Sequence, residues 1–130
     1  MALSAKKRIF AVKFKDTVML NFISFGSGSS GNCYYLYNQD DSLMIDVGVG
    51  LRTLKKHFYN YGLRLSDVQN IIVTHDHADH IKSAGSISKE YKIPVYATER
   101  VHQGLDHNYC IRAKIPVDYK RIVAYGQTVQ

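Results

Sequence analysis

Proline is scarce in this chain. Two prolines stand beside nine glycines in 130 residues, a balance that argues against a long disordered tract. Cysteine is equally sparse: Cys33 and Cys110 make only a weak case for a disulfide. A reduced, cytoplasmic setting is the reading that follows. No apolar run approaches the roughly 20 residues needed to span a bilayer. Lys6, Lys7 and Arg8 precede Ile9-Phe10-Ala11-Val12, but Lys13 and Lys15 interrupt that run and no small-residue cleavage site follows. A signal peptide is therefore rejected. Internal repeats and low-complexity segments are missing as well. Acidic residues are outnumbered, 11 against 17 lysines and arginines, giving a formal net charge of +6. That excess favours anionic partners such as nucleic acid or phosphorylated metabolites, and a solvated basic surface is the plainer alternative.

What is present fits one globular domain with a modest core, since 45% of the residues are hydrophobic. Residues 1–18 are read as a basic N-terminal extension ahead of a domain spanning 19–130. Phe10, Val12 and Phe14 alternate with Ala11, Lys13 and Lys15, so an additional strand is the alternative there. Leu20–Phe25, Cys33–Tyr37 and Ser42–Asp46 read as strands of an antiparallel meander, separated by a Ser/Gly loop over 26–32 and a turn over 38–41. Leu51, Leu54 and Phe58 lie at helical spacing, so Arg52–Tyr61 reads as a helix closed by Gly62. Ser66-Asp67-Val68 begins a further short turn. Ile71–Thr74 is a short buried strand. Ile81, Ala84, Ile87 and Tyr91 share one side of a helix predicted over Ile81–Tyr91. Pro94 opens a strand over Val95–Ala97, and Thr98 caps a short helix ending near Gly104. Ile111–Val129 has strand-like pieces and a turn at Gly126. A meander followed by strand–helix–strand predicts a mixed α/β domain.

Three of the six histidines fall within His75-Asp76-His77-Ala78-Asp79-His80. His75 and His77 are two apart, so extended backbone points both imidazoles to one side, where they would grip one metal ion. Asp79 and His80 follow a bend and would grip a second. Imidazole and carboxylate suit zinc first, with manganese or iron as alternatives. A bound divalent ion lowers the pKa of its water from about 16 to about 7, supplying hydroxide at neutral pH. A histidine-rich surface loop without metal is the competing reading, outweighed by three histidines and two aspartates directly after a buried strand. Asp76 has two readings of equal weight, a solvent-facing spacer or a group that orients the attacking water.

Thr74-His75-Asp76-His77-Ala78-Asp79-His80 resembles the His-x-His-x-Asp-His motif of the metallo-β-lactamase superfamily. Leu43-Met44-Ile45-Asp46-Val47-Gly48 resembles the strand ending in Asp-x-Gly that precedes the metal loop in that superfamily. Phe25-Gly26-Ser27-Gly28-Ser29-Ser30-Gly31-Asn32-Cys33 and Lys92–Thr98 resemble a small bacterial, exonuclease-like branch associated with a cell-wall regulatory operon. The resemblance runs over roughly residues 20 to 126. It implies an α/β fold with a mixed sheet, the N-terminal half of a four-layer αββα sandwich. It also implies His75 and His77 as ligands of a first metal and Asp79 and His80 as ligands of a second, up to two ions in all. Asp46 and Thr74 would brace the metal loop by hydrogen bonds from behind the ligands. Asp76 and Asp79 are the candidate catalytic carboxylates. The Ser/Gly loop 26–32 would line the substrate site, or be a tight turn and no more.

Two departures stand out. Ser83 occupies the place of a family glycine, with Gly85 nearby. The family's remaining ligands, two histidines and a bridging aspartate, lie in a second half that has no match here. His102 and His107 do not occupy those positions, and both are expected on the surface. A half-sandwich leaves one sheet face uncovered, which predicts self-association. The resulting expectation is a metal-dependent phosphodiesterase or nuclease, acting on nucleic acid or another anionic phosphodiester and without a membrane partner. A metal-binding fragment without turnover, and an interaction module that keeps only the fold, are the alternatives.

Overall fold

The computed structural model describes residues 9–14, 18–109, 111 and 113–124. Among these residues seven strands form one sheet in chain order, β1 (Ile9–Phe14), β2 (Val18–Gly26), β3 (Cys33–Tyr37), β4 (Ser42–Ile45), β5 (Asn70–Ile72), β6 (Val95–Ala97) and β7 (Lys120–Ile122). The first four pair antiparallel, and β4 to β7 run parallel. Ile9–Phe14 is thus a strand, paired in register from Ile9 opposite Ile23 to Phe14 opposite Val18. The turn between β3 and β4 is fixed by Asn38, whose Oδ1 accepts from the backbone N–H groups of Asp40 and Asp41 at 2.8 and 2.7 Å. Cys110 and Gly126 lie outside the described residues.

The parallel strands are joined by helices α1 (Leu51–Asn60), α2 (Ala78–Ile81), α3 (Ala84–Tyr91) and α4 (Glu99–His107). Crossovers of one hand, repeated in one direction along a sheet, leave every helix on the same face. The burial follows this rule. Ile23, Tyr35, Met44, Ile71 and Val95 stand side by side across β2 to β6 and are all buried. Leu54 and Phe58 of α1 and Ile87 of α3 close the core over them. Phe58 packs 5.0 Å from both the Phe25 and Tyr35 rings. Burial of these apolar side chains is the main stabilising term of the sheet-on-helix layer. The Lys55–Glu90 bridge between α1 and α3 (3.2 Å, both side chains nearly half exposed) adds little.

The opposite face carries Leu20, Phe22, Tyr34, Leu36, Leu43, Ile45, Ile72 and Tyr96, none of them fully buried. Phe22 and Tyr34 stack there with centroids 5.9 Å apart. This is the apolar surface expected of a half-sandwich. In the antiparallel pair β2–β3 the register shifts between Ser24 and Gly26, where the chain leaves the sheet for the Ser/Gly loop.

Two predicted helices differ from the structure. The continuous helix over Ile81–Tyr91 is two helices, broken at Lys82 and Ser83. Ser83 is buried, its backbone N–H donates to Val47 O at 2.8 Å, and its hydroxyl donates to Val49 O at 2.6 Å. Bonding to the β4–α1 connection replaces the helical bond and ends the first segment. The helix opened by Thr98 runs on to His107. Its cap is the Thr98 hydroxyl, which accepts from Val101 N–H at 3.2 Å.

Candidate metal centre

Three connections meet at one end of the central strands: the Ser/Gly loop between β2 and β3, the segment after β4, and the loop from β5 into α2. They are laced together by backbone. Asn32 N–H donates to Asp79 O (2.7 Å), Gly48 N–H to Asn32 O (2.8 Å), Val47 N–H to His80 O (2.8 Å) and Ser83 N–H to Val47 O (2.8 Å). The lacing depends on glycine. A Cβ on Gly48 would stand 1.8 Å from Asp79 O, and Gly31 adopts a φ of +144°, which L side chains rarely tolerate. Asn32 is buried, and its Nδ2 donates to Gly28 O (2.8 Å), Asp79 O (3.1 Å) and Asp79 Oδ2 (3.3 Å). The loop therefore reaches the metal motif itself. The sequence offered Asn32 only as the last polar residue of a glycine loop.

Asp46 is the centre of the arrangement. It is buried, and its φ of 60° places it in the left-handed region, which aspartate adopts more readily than most residues. That turn at the end of β4 sends its carboxylate across to β5. Oδ1 accepts from Thr74 N–H (2.8 Å), while Oδ2 accepts from the Thr74 hydroxyl (2.6 Å) and from His80 Nδ1 (2.8 Å). The hydroxyl has one hydrogen, and it goes to Asp46. The 2.9 Å contact between Thr74 Oγ1 and His75 Nδ1 must then be a donation from the imidazole. One carboxylate thus fixes the tautomer of two histidines, directly for His80 and through Thr74 for His75. Both keep Nε2 free as a lone-pair donor, the arrangement a metal-binding imidazole needs.

Single donor atoms of Asp46, His75 and His80 all lie within 4.8 Å of one another. Asp46 belongs to that cluster by position, but its oxygens are already occupied by Thr74 and His80, so it serves as the brace and not as the third ligand. Asp79 is better placed to complete a site, with Oδ2 3.8 Å from His80 Nε2. The His75 and His80 rings are 4.6 Å apart. His77 stands farther out, its ring 6.2 Å from that of His75 and its side chain three-quarters exposed. Asp76 Oδ1 lies 3.8 Å from His77 Nε2. The donor set of imidazole nitrogens and carboxylate oxygens is one that zinc, manganese or iron accepts.

Asp76 is partly exposed, with 44% of its side chain open to solvent. Its side chain is seated over Gly104 of α4, where a Cβ would come within 2.1 Å of Oδ2. Asn108 Nδ2 donates to Asp76 O at 3.2 Å. Helix α4 therefore supports the metal loop from the side, through a glycine that the sequence offered only as a helix end.

His102 corrects the surface expectation. It is buried beneath α4, with Nε2 donating to Arg121 O of β7 at 2.7 Å. Burial lowers its pKa from the ordinary histidine value. Its helix packs against β6 and β7, a contact between residues about 20 apart in the chain that local pattern does not reveal. His107 is exposed, with Nδ1 donating to Gln103 O within its own helix at 2.7 Å.

A model of the metallo-beta-lactamase superfamily matches residues 26–109. Among curated proteins, an exodeoxyribonuclease YycJ of Bacillus anthracis is 36% identical over 107 residues, covering 82% of this chain and 39% of that protein. An exodeoxyribonuclease WalJ of Streptococcus pneumoniae serotype 2 is 29% identical over 102 residues, covering 78% of this chain and 38% of the relative. The chain thus spans about two fifths of the length of these relatives. Among solved structures, the metallo-beta-lactamase BJP-1 of Bradyrhizobium japonicum superposes with a TM-score of 0.66 at 21% identity, over 92% of this chain and 47% of that one. SMB-1 bound to 2-mercaptoethanesulfonate gives 0.66 at 20% identity, over 87% and 46%. These structural likenesses concern the fold.

Proposed function

The chain belongs to the metallo-beta-lactamase superfamily, and we propose that it forms the metal-binding part of a phosphodiesterase or nuclease that cuts nucleic acid. The observation that carries this reading is the shared brace: Asp46 and Thr74 hold the Nδ1 atoms of His75 and His80, whose rings lie 4.6 Å apart. The names of the exodeoxyribonuclease relatives and the +6 charge support a polyanionic substrate.

In this reading His75 and His77 hold one ion, and Asp79 and His80 hold a second, with zinc assigned first. A divalent ion supplies a Lewis acid and a source of nucleophilic water at neutral pH. The chain's own groups do the positioning. Asn32 holds the Asp79 carboxylate towards His80. Asp76, propped on α4, orients the attacking water and accepts its proton. Cys33, a buried free thiol, accords with the reducing cytoplasm we assign. The open apolar face is assigned to self-association.

The test is cleavage of a single-stranded oligodeoxynucleotide with zinc or manganese, for the chain and for Asp79→Ala. Metal-dependent cleavage lost in the variant supports the reading. Metal uptake without cleavage would make this a metal-binding fragment without turnover.

A further inference from the structure

Beneath α4 lies a titratable side chain that the metal chemistry does not use. His102 is 3% exposed. Its Nε2 donates to Arg121 O of β7 at 2.7 Å, which leaves Nδ1 as the lone-pair nitrogen of the neutral ring. Nδ1 is buried too and has no hydrogen-bond partner. Protein interiors leave few polar atoms in this state. This one belongs to the side chain whose charge changes closest to neutral pH.

A proton on Nδ1 would add a charge and a donor N–H inside the contact between α4 and β7, where the ring meets no partner for it. The groups around the ring divide. Burial disfavours the imidazolium most, and the Lys120 ammonium of β7 disfavours it as well. The backbone at Arg121 and Val95 and the Asp106 carboxylate of α4 favour it. Burial prevails, and the pKa lies below the ordinary histidine value of 6.5. Lys120 and Asp106 are themselves paired at 2.6 Å, so their effects on the ring oppose one another. The Arg121 guanidinium is engaged on its own segment, donating to Asp118 O and Lys120 O at 2.8 and 3.1 Å. From β6 the buried side chains are Val95 and Ala97, which carry no charge.

Helix α4 bears in turn on the metal loop. Gly104, two residues after His102, seats the Asp76 side chain, and Asn108 Nδ2 donates to Asp76 O at 3.2 Å. We infer that His102 is a proton-sensitive pin: neutral, it seats α4 on β7 and keeps the support beneath Asp76 in place; protonated at Nδ1, it must reach water, and α4 lifts from β7. The folded-state pKa is depressed, so the pin's contribution to stability is full above the unfolded value of 6.5. It is lost as pH falls below that value and through the folded one. The device belongs to the fold and stands whether or not the chain cuts nucleic acid.

The test is hydrogen–deuterium exchange of the chain at about pH 7.5 and about pH 5.5, each amide corrected for its intrinsic rate. Protection of the α4 and β7 amides should fall several-fold at the lower pH relative to those of α1, and the 75–80 loop should follow α4. His102→Gln keeps an N–H for Arg121 O and has no charge to gain, so its α4 protection should stay level. The motif histidines are the same in both proteins and cancel in the comparison. Unchanged α4 protection in the parent, an equal fall in His102→Gln, or a loss shared equally by α1 would overturn the inference. Should His102→Gln fail to fold, the ring nitrogen shifts of His102 in the parent decide. Protonation that coincides with the loss of α4 protection upholds the pin, and an imidazolium formed under a still-protected α4 overturns it.

Discussion

A single buried carboxylate carries most of the information at this site. Asp46 receives a backbone N–H, a hydroxyl and an imidazole N–H, and the hydroxyl relays its influence to a second imidazole. The relay makes Thr74 a positioning residue with a specific test. Thr74→Val keeps the branched shape but removes the acceptor for His75 Nδ1, so His75 loses its fixed tautomer while His80 keeps its own. Metal affinity should fall about 10- to 100-fold, read by competition with a chromophoric chelator, and Thr74→Ser should restore most of it. Equal affinity in Thr74→Val would remove Thr74 from the account. The histidines and aspartates of the motif were legible in the sequence because their density has no structural purpose on a plain loop. The brace was legible only through resemblance, since Asp46 and Thr74 are 28 residues apart. The backbone turn that joins them, a positive φ at aspartate, leaves no mark in composition.

The strands from β2 to β6 were largely readable, because alternation and turn chemistry are local. The break at Ser83 was not. Ile81, Ala84, Ile87 and Tyr91 keep helical spacing straight through it, and the cause is a pair of hydrogen bonds to Val47 and Val49 across the fold. Gly104 and Asn32 were missed for the same reason: each matters through what it meets, Asp76 in one case and Asp79 in the other. Between elements, Gly48 is the tightest point. Its missing side chain lets the segment after β4 lie directly on the backbone of Asp79, and a backbone atom cannot step aside as a side chain would. Gly48→Ala should therefore cost about 1–3 kcal/mol in urea unfolding and weaken metal binding in parallel. Gly50→Ala, where a Cβ meets nothing within 4 Å, is the control and should do neither. A Gly48→Ala protein as stable as the parent would show that the loops are not laced as described.

At the scale of the molecule, among the described residues, the sheet has one face under helices and one without them. Leu36, Leu43, Ile72 and Tyr96 on the open face border a cavity of about 490 Å³ with Asn38, Asp41, Ser42 and Asn70 at its polar side. Apolar surface of this kind favours association. Light scattering across a concentration series should show growth beyond the monomer mass, and Leu36→Lys should suppress it. A monodisperse monomer at high concentration would contradict the expectation. The central claim is that the loops at the ends of β4 and β5 hold metal. Elemental analysis of the purified chain, beside His77→Ala and Asp79→Ala, tests it most directly. The account predicts about one or two divalent ions per chain, reduced in both variants. A chain that stays metal-free under saturating zinc or manganese would contradict it.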